Sequence, residues 1–394
     1  MRAYQQLKNI YHIIQAELWR AVYGWPDKKL VLYGVTGTNG KTTTSHLVAS
    51  ILSEQYGAAK VGMLTTIAFR FGTEEVINKS KMTTLKSKLV FQYLKKMNDK
   101  GVEHVVLEMT SHALDQNRLH GIHLVGAIIL NIAREHLDYH KTMEAYTAAK
   151  QRILEYIISG GVVAGKGDDV RVETILKKAE QKKFCVERFT SHEAQSVETA
   201  LPGAVNKENA LAASKLMRGL GVPEAIVKTG IMAVKKIAGR MEVVKAPIGF
   251  EVIIDYAVTP DALERLYSDI RVKTTGRLYG ILGAAGLRDR GKRSDMARVV
   301  AKYADEIVVT NEDPWTESEE QIFSDLEAGL KDTTKKWQRI PDRRAALQYF
   351  VNKAQIGDTI ITTGKGAETG MAFGKTIVPW HERTVVEELI KNRS

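Results

Sequence analysis

The sharpest chemical signal in the chain is Gly34-Val35-Thr36-Gly37-Thr38-Asn39-Gly40-Lys41-Thr42-Thr43-Thr44. It follows the apolar run Leu30–Val35 and precedes a helical stretch, Ser45–Gln55. Glycines let a backbone curl around phosphate oxygens, and N–H groups at a helix start stabilise the anion. Lys41 would neutralise terminal phosphates and Thr42 would offer its hydroxyl to Mg²⁺. Thr38, Asn39, Gly40 and Thr43 belong to the same nucleotide-binding set. The spacing is a variant, because the usual loop has four residues between its glycines and the position five before Gly40 is Val35. A glycine-rich turn with no ligand is the plain alternative.

Two further clusters follow predicted strands. Glu108 ends the run Val102–Met109 and is followed by Ser111, His112, Gln116 and Arg118. A carboxylate at a strand tip beside a phosphate loop commonly serves Mg²⁺, although alone it reads equally well as a helix cap. Asn131–His140 places Arg134, Glu135, His136 and Asp138 in one turn beyond another strand, which raises His136 above the structural role expected of a lone histidine. Lys150, by itself, reads as an ordinary surface lysine on a helix.

These residues need a scaffold. Seven apolar runs read as buried strands: Leu30–Val35, Val102–Met109, Val125–Ile132, Phe250–Ala257, Arg277–Leu282, Glu306–Thr310 and Thr359–Thr363. Helical stretches separate many of them, so the fold expected is α/β with mainly parallel sheets. Ligands in such sheets bind beyond the carboxyl ends of strands, where Thr36-Gly37, Glu108, Asn131, Asp255, Gly283, Asn311 and Gly364 fall. The spacing divides the chain into an N-terminal amphipathic helix (1–29), a central nucleotide-binding domain (30–238) and a C-terminal Rossmann-like domain (239–394). The first helix carries Leu7, Ile10, Tyr11, Ile14, Leu18 and Val22 at helical spacing, with Arg2, Lys8 and Arg20 among its polar positions. Docking on the next domain is the favoured reading; contact with a membrane surface is the second.

The 394 residues are 44% hydrophobic and 26% charged, a globular balance that excludes a disordered or fibrous chain. No apolar run is long enough to span a bilayer. The single Cys185 excludes a disulfide framework and fits a reducing cytoplasm. The net charge of +11 admits nucleic acid, anionic membranes or anionic small molecules. Bases occur in scattered pairs such as Lys95-Lys96, with no block of five and no aromatic-interleaved RNA motif, so charge alone does not choose among these partners.

Taken in order, the motifs GTNGKTTT (37–44), EMTSHALDQNRL (108–119), REHLDYH (134–140) with AAK (148–150), PGAVNKENALAA (202–213), GRMEVV (239–244), DYAVTPDALE (255–264), RDRGKR (288–293), EDP (312–314) and GKGAE (364–368) resemble the Mur ligase superfamily. Within it they are most similar to the UDP-N-acetylmuramoyl-tripeptide synthetase branch, over about residues 30–390. The resemblance implies that Lys41 and its loop hold ATP, and that Thr42, Glu108 and His136 organise two magnesium sites. Lys150 matches a lysine that is carbamylated to an anionic, magnesium-placing ligand, so Lys41, Glu108, His136 and Lys150 form the implied catalytic set. Thr83, Thr84, Ser111, Gln116 and Arg118 match contacts to a muramoyl-peptide acceptor. Asn206, Asn209, Arg240, Asp255 and Tyr256 match positions around the nucleotide. Arg288, Asp313, Gly364 and Glu368 fall where the incoming amino acid is recognised.

Departures matter as much. The family ordinarily begins with a domain for the UDP end of the substrate, whereas about 29 residues precede the central domain here, which leaves open whether the acceptor carries UDP while the chemistry expected at the peptide end is unaffected. DYAHTPD has become Asp255–Asp261 with Val258 in place of histidine, and GKGHE carries Ala367 in the same way. The DNPR motif reads Glu312-Asp313-Pro314-Trp315, which removes the arginine partner for the distal carboxylate of meso-diaminopimelate. Acids beside Glu368 suit a cationic side chain, as in L-lysine or L-ornithine.

The implied reaction joins an amine to a carboxylate with ATP cleavage through an acyl phosphate, in a monomeric cytoplasmic enzyme of peptidoglycan precursor synthesis. Closure of the C-terminal domain is expected to exclude water. A folylpolyglutamate synthetase or other polyglutamate ligase is the competing enzyme reading. A nucleotide-dependent nucleic-acid binder is the competing non-enzyme reading.

Overall fold

Apolar strands with both faces covered read as unbroken hydrophobic runs, and all seven expected runs form strands in the computed structural model, which describes residues 2–393 with side chains from Asn9 to Arg393. The Arg2, Leu7 and Lys8 side chains of the expected first-helix pattern lie outside the described residues. The chain divides into two units, Met1–Ala133 with His140–Lys235, and Arg134–Tyr139 with Lys236–Ser394.

Among the described residues the first unit holds an eight-stranded sheet built from β1 (Val31–Thr36), β2 (Val61–Leu64), β3 (Ala68–Phe71), β4 (Glu74–Ile77), β5 (His104–Glu108), β6 (Leu124–Ile129), β7 (Ile157–Lys166) and β8 (Cys185–Phe189). Their order is β4-β3-β2-β5-β1-β6-β7-β8, with β3 and β4 the antiparallel pair at one edge. Thus β1, which feeds the glycine loop, lies between β5 and β6, which carry Glu108 and Asn131 at or just beyond their ends.

Helix α1 (Arg2–Val22) precedes α2 (Lys41–Tyr56) and α3 (Ser87–Asp99). Helix α1 packs on α3, with Ala16 buried in the core and Trp19 and, just past the helix, Tyr23 half-buried against it. Arg20 closes that junction with a two-pronged pair to Asp27 at 2.9 and 2.8 Å. Ile10, Tyr11, Ile14, Leu18 and Val22 line the solvent side. Helix α2 is clamped by the helices Ala204–Gly219 and Glu224–Ala233. Gly230 permits the closer of these approaches, since a Cβ there would lie 2.5 Å from Ile51 Cα.

The second unit orders its six-stranded sheet as β13-β12-β11-β14-β10-β9, among the described residues. The strands are β9 (Glu242–Lys245), β10 (Glu251–Ile254), β11 (Leu278–Leu282), β12 (Glu306–Val309), β13 (Lys336–Arg339) and β14 (Thr359–Thr362). Only the β9 edge pairs antiparallel. One face is covered by Pro260–Lys273, Arg293–Tyr303 and Glu319–Glu327, the other by Arg343–Lys353 and Glu382–Arg393. A hairpin, β15 (Gly370–Phe373) and β16 (Thr376–Pro379), follows β14. No helix among the described residues is long and apolar enough to cross a membrane.

Candidate active-site residues

In the first unit the loop after β1 is held from three sides. Thr38 N donates to Asn131 O at 2.8 Å, and Asn39 N to Asn131 Oδ1 at 2.9 Å. Tyr146 OH lies 3.1 Å from Thr38 Oγ1, and Lys150 Nζ donates to Gly37 O at 2.7 Å. Lys150 is fully buried with its ammonium 4.6 Å from the Tyr146 ring, which is not the surface position its local sequence suggests. Gly40, at φ +85°, caps α2 in a left-handed conformation that glycine adopts at least cost. Lys41 Nζ donates to Thr38 O at 2.8 Å, which folds the side chain back over the loop.

Glu108, at the tip of β5, meets this loop directly. Thr42 Oγ1 donates to its carboxylate, 3.0 and 3.2 Å from the two oxygens, and Thr66 N donates to it at 2.9 Å. Thr66 Oγ1 is 3.0 Å from Glu108 Oε1 and 2.9 Å from Thr83 Oγ1. Thr66 went unnoticed in the sequence because nothing around it forms a motif. Beside it, Thr84 Oγ1 donates to Glu108 O and accepts from Thr110 N, both at 2.9 Å. Arg118 donates to Thr84 O at 3.0 Å and to Gln116 Oε1 at 2.9 Å, while Ser111 Oγ lies 3.0 Å from His140 Nε2. Thr83, Thr84, Gln116 and Arg118 therefore belong to one connected polar network with Glu108, and Ser111 pairs separately with His140.

Behind the loop, Thr44 Oγ1 donates to Asn209 Oδ1 at 3.3 Å, and Asn209 Nδ2 to Asn206 Oδ1 at 3.2 Å. His46 reaches Thr42 O from Nδ1 at 2.8 Å, and burial pushes its imidazole down, so the neutral ring donates from Nδ1. Thr42 and Glu108 are adjacent oxygen donors of the kind a hard cation takes. Among the described residues no three His, Cys, Asp or Glu side chains are gathered as a metal cage. His136 is carried by the second unit, in the segment Arg134–Tyr139 at φ +56°, with Nδ1 4.0 Å from Glu135 Oε1.

The second unit gathers its polar groups at the carboxyl ends of β10, β12 and β14. Asp255 accepts from Met241 N and Ala257 N, each at 2.7 Å, and burial raises its carboxyl despite the opposing pull of Arg240. Arg240 lies over the Tyr256 ring at 4.5 Å. Glu368, followed by burial, raises the Tyr256 phenol well above its ordinary value. Arg288 is exposed and acts on Tyr256 at longer range.

Lys365 is completely buried and donates to Glu368 at 2.6 Å, Gly370 O at 2.8 Å and Asp313 Oδ1 at 2.9 Å. Burial works against its ammonium, but Glu368 and Asp313 outweigh that and raise it. Asp313 Oδ1 also accepts from Ala372 N at 2.8 Å, so this acid braces the β15–β16 hairpin. Its neighbour Glu312 differs. Glu312 is buried, its Oε2 has no hydrogen-bond partner among the described residues, and burial pushes the carboxyl up to about 7. Gly364, at φ +96°, leaves room for it: a Cβ there would stand 2.3 Å from Glu312 Oε2. The sequence presents Glu312 and Asp313 as two like acids suited to a cationic side chain, and their separation in role is visible only in three dimensions.

A family model described as Mur ligase middle domain matches residues 35–196, and one described as Mur ligase, glutamate ligase domain matches 239–366. A UDP-N-acetylmuramoyl-L-alanyl-D-glutamate–2,6-diaminopimelate ligase of Geobacillus thermodenitrificans (strain NG80-2) is 33% identical over 407 residues, covering 95% of this chain and 81% of its own. A UDP-N-acetylmuramyl-tripeptide synthetase of Roseiflexus sp. (strain RS-1) is 32% identical, with 93% and 80% covered. A solved structure of a UDP-N-acetylmuramoyl-L-alanyl-D-glutamate–2,6-diaminopimelate ligase superposes with a TM-score of 0.60 at 27% identity, over 92% of this chain and 79% of that one. Mycobacterium tuberculosis folylpolyglutamate synthase shares the fold, with a TM-score of 0.69 at 17% identity over 89% and 92% of the two chains.

Proposed function

Because the chain belongs to the Mur ligase family, we propose that it uses ATP to join a diamino acid to a muramoyl-dipeptide acceptor in cytoplasmic peptidoglycan precursor synthesis, acting as a monomer. The observation that carries the reading is the Lys41–Thr42–Glu108 constellation: a glycine loop at a helix start, a lysine folded over it, and a hydroxyl on a strand-tip carboxylate.

A carboxylate resists attack by an amine because oxide is a poor leaving group. In the proposed reaction an oxygen of the acceptor carboxylate attacks the γ-phosphorus, and the bond from that phosphorus to the β,γ-bridging oxygen breaks as ADP departs. The amino nitrogen then adds to the carbonyl carbon of the acyl phosphate. The tetrahedral intermediate collapses with loss of inorganic phosphate and a proton, leaving the amide. Reactants and transition states are anionic, so positioning and charge stabilisation do most of the work.

Lys41 and the loop N–H groups stabilise the phosphates. Mg²⁺ would add charge neutralisation there, with Thr42 and Glu108 as its first oxygen donors. Lys150 would join them once carbamylated, and His136 is assigned to magnesium on the resemblance of its motif alone. Thr38, Asn39, Gly40, Thr43, Asn206, Asn209, Arg240, Asp255 and Tyr256 are proposed for ATP. Thr83, Thr84, Ser111, Gln116 and Arg118 are proposed for the acceptor, and Arg288, Asp313, Gly364 and Glu368 for the amino acid.

The amino acid proposed is L-lysine or L-ornithine. Glu312 offers a carboxylate oxygen with no hydrogen-bond partner among the described residues, and Trp315 stands where an arginine would hold a distal carboxylate. ADP release is measured with UDP-N-acetylmuramoyl-L-alanyl-D-glutamate, its UDP-free counterpart or a folate, each with L-lysine, L-ornithine or meso-diaminopimelate. Turnover with a muramoyl acceptor and a cationic amino acid is expected. Turnover with the folate alone would replace this reading, and preference for meso-diaminopimelate would overturn the amino-acid assignment.

A further inference from the structure

Arg343 opens the helix Arg343–Lys353 directly after the N-cap Asp342, and its side chain is buried. A buried guanidinium has five donors to satisfy. Nη1 donates to Asn311 O at 3.2 Å, and Nη2 to Thr363 O at 2.7 Å and Thr362 Oγ1 at 2.9 Å. Nε lies 3.0 and 3.1 Å from the two Glu382 oxygens, and Nη2 is 2.7 Å from Oε1. Glu382 also accepts from Thr362 Oγ1 and, at 2.6 Å, from Trp380 Nε1. Burial would raise the Glu382 carboxyl, but Arg343 beside it holds it below the ordinary value.

The carbonyls that Arg343 binds belong to separate loops. Asn311 follows β12 and Thr363 follows β14, and β11 lies between those strands in the sheet. One guanidinium therefore spans the end of the intervening strand. The first loop continues into Glu312 and Asp313, the second into Gly364, Lys365 and Glu368. The close approach of Gly364 to Glu312 Oε2 makes the surroundings of that oxygen depend on the loop separation.

We propose that Arg343, oriented by Glu382, is a positioning residue for the incoming amino acid: it sets the separation of the Asn311–Asp313 and Thr363–Glu368 loops and thereby the aim of the Glu312 carboxylate. This rests on the reading of the second unit as the amino-acid-recognising one. A planar fork can hold two divergent carbonyls and a carboxylate together, whereas a lysine ammonium is a point charge on a flexible stem.

The test compares wild type, Arg343→Lys and the double variant Arg343→Met/Glu382→Leu. ADP release is followed while L-lysine, ATP and UDP-N-acetylmuramoyl-L-alanyl-D-glutamate are varied in turn, with far-UV circular dichroism as the fold control. The double variant removes both members of the Arg343–Glu382 pair and so leaves neither of these two charges buried without the other, which lets it carry the test if Arg343→Lys does not fold. The expected result is a rise of about tenfold or more in KM for L-lysine, with KM for ATP and acceptor within about twofold of wild type. An unchanged L-lysine KM in the folded double variant, an equal rise in all three KM values, or full function in Arg343→Lys would overturn the inference. Absence of amino-acid-dependent ADP release in wild type would overturn the underlying reading as well, which separates the two failures.

Discussion

Gly40 and Asn209 face each other so closely that a Cβ on residue 40 would stand 2.3 Å from Asn209 Oδ1. The same glycine caps α2 at φ +85°, so space and backbone both demand its type. Gly40→Ala should cost about 1–2 kcal/mol from the left-handed backbone alone. The KM for ATP should rise with it, because the loop must open to relieve the contact. Thermal unfolding and ADP-release kinetics measure both, and a variant with wild-type values in each would remove this account of the loop.

Lys41 is tied to Thr38 O in its own loop and, in the proposed mechanism, turns to the terminal phosphates. Lys41→Ala should lower amino-acid-dependent ADP release by about 10²–10³-fold, the range seen when one preorganised charge-stabilising donor is removed. The far-UV spectrum should not change. Normal turnover would refute the assignment of the loop to ATP.

Lys150 is buried against Gly37 O and the Tyr146 ring. Lys150→Ala should be nearly inactive and should recover in part when a small carboxylate such as acetate is added, since the proposed carbamate is an anion. A stable fold with no recovery would reduce Lys150 to a loop brace; wild-type activity would end the carbamate proposal.

Glu312 has its carboxyl raised to about 7 by burial, against an ordinary 4.5. Its folded-state value exceeds its unfolded one, so the group destabilises the fold progressively as pH rises from 4.5 to about 7 and by a constant amount above. Glu312→Gln should therefore be more stable than wild type at pH 8, by about 3 kcal/mol at most, with the advantage falling to about 1 kcal/mol or less at pH 5. The same change should raise KM for L-lysine at pH 8. Urea titrations at the two pH values test the sign; a destabilised variant at pH 8 would show that the charge has a partner.

Much of this fold lies open in local pattern. The seven apolar runs are central or well-covered strands, and their burial on both faces makes them conspicuous. The strands that local pattern hides have reasons to be hidden. β4 is fully exposed at an edge, β13 is Lys-Trp-Gln-Arg, and β7 contains Gly160-Gly161, with Gly160 at φ +74°. The pairing of β4 and β13 comes from neighbours on the sheet more than from their own side chains, whereas β7 buries Val162, Val163 and Ala164 and is hidden by its glycines.

The glycine loop, the strand-tip carboxylate and the family membership are properties of the sequence alone, because short-range spacing on a strand, loop and helix dictates which atoms can converge. The tertiary structure alone decided that Lys150 is buried against the loop, that Thr66 braces Glu108, and that Asp313 is engaged by Lys365 while Glu312 keeps an oxygen with no hydrogen-bond partner among the described residues. Those assignments depend on partners distant in the chain, and hydrogen bonding and desolvation act through space, where residue order carries no distance.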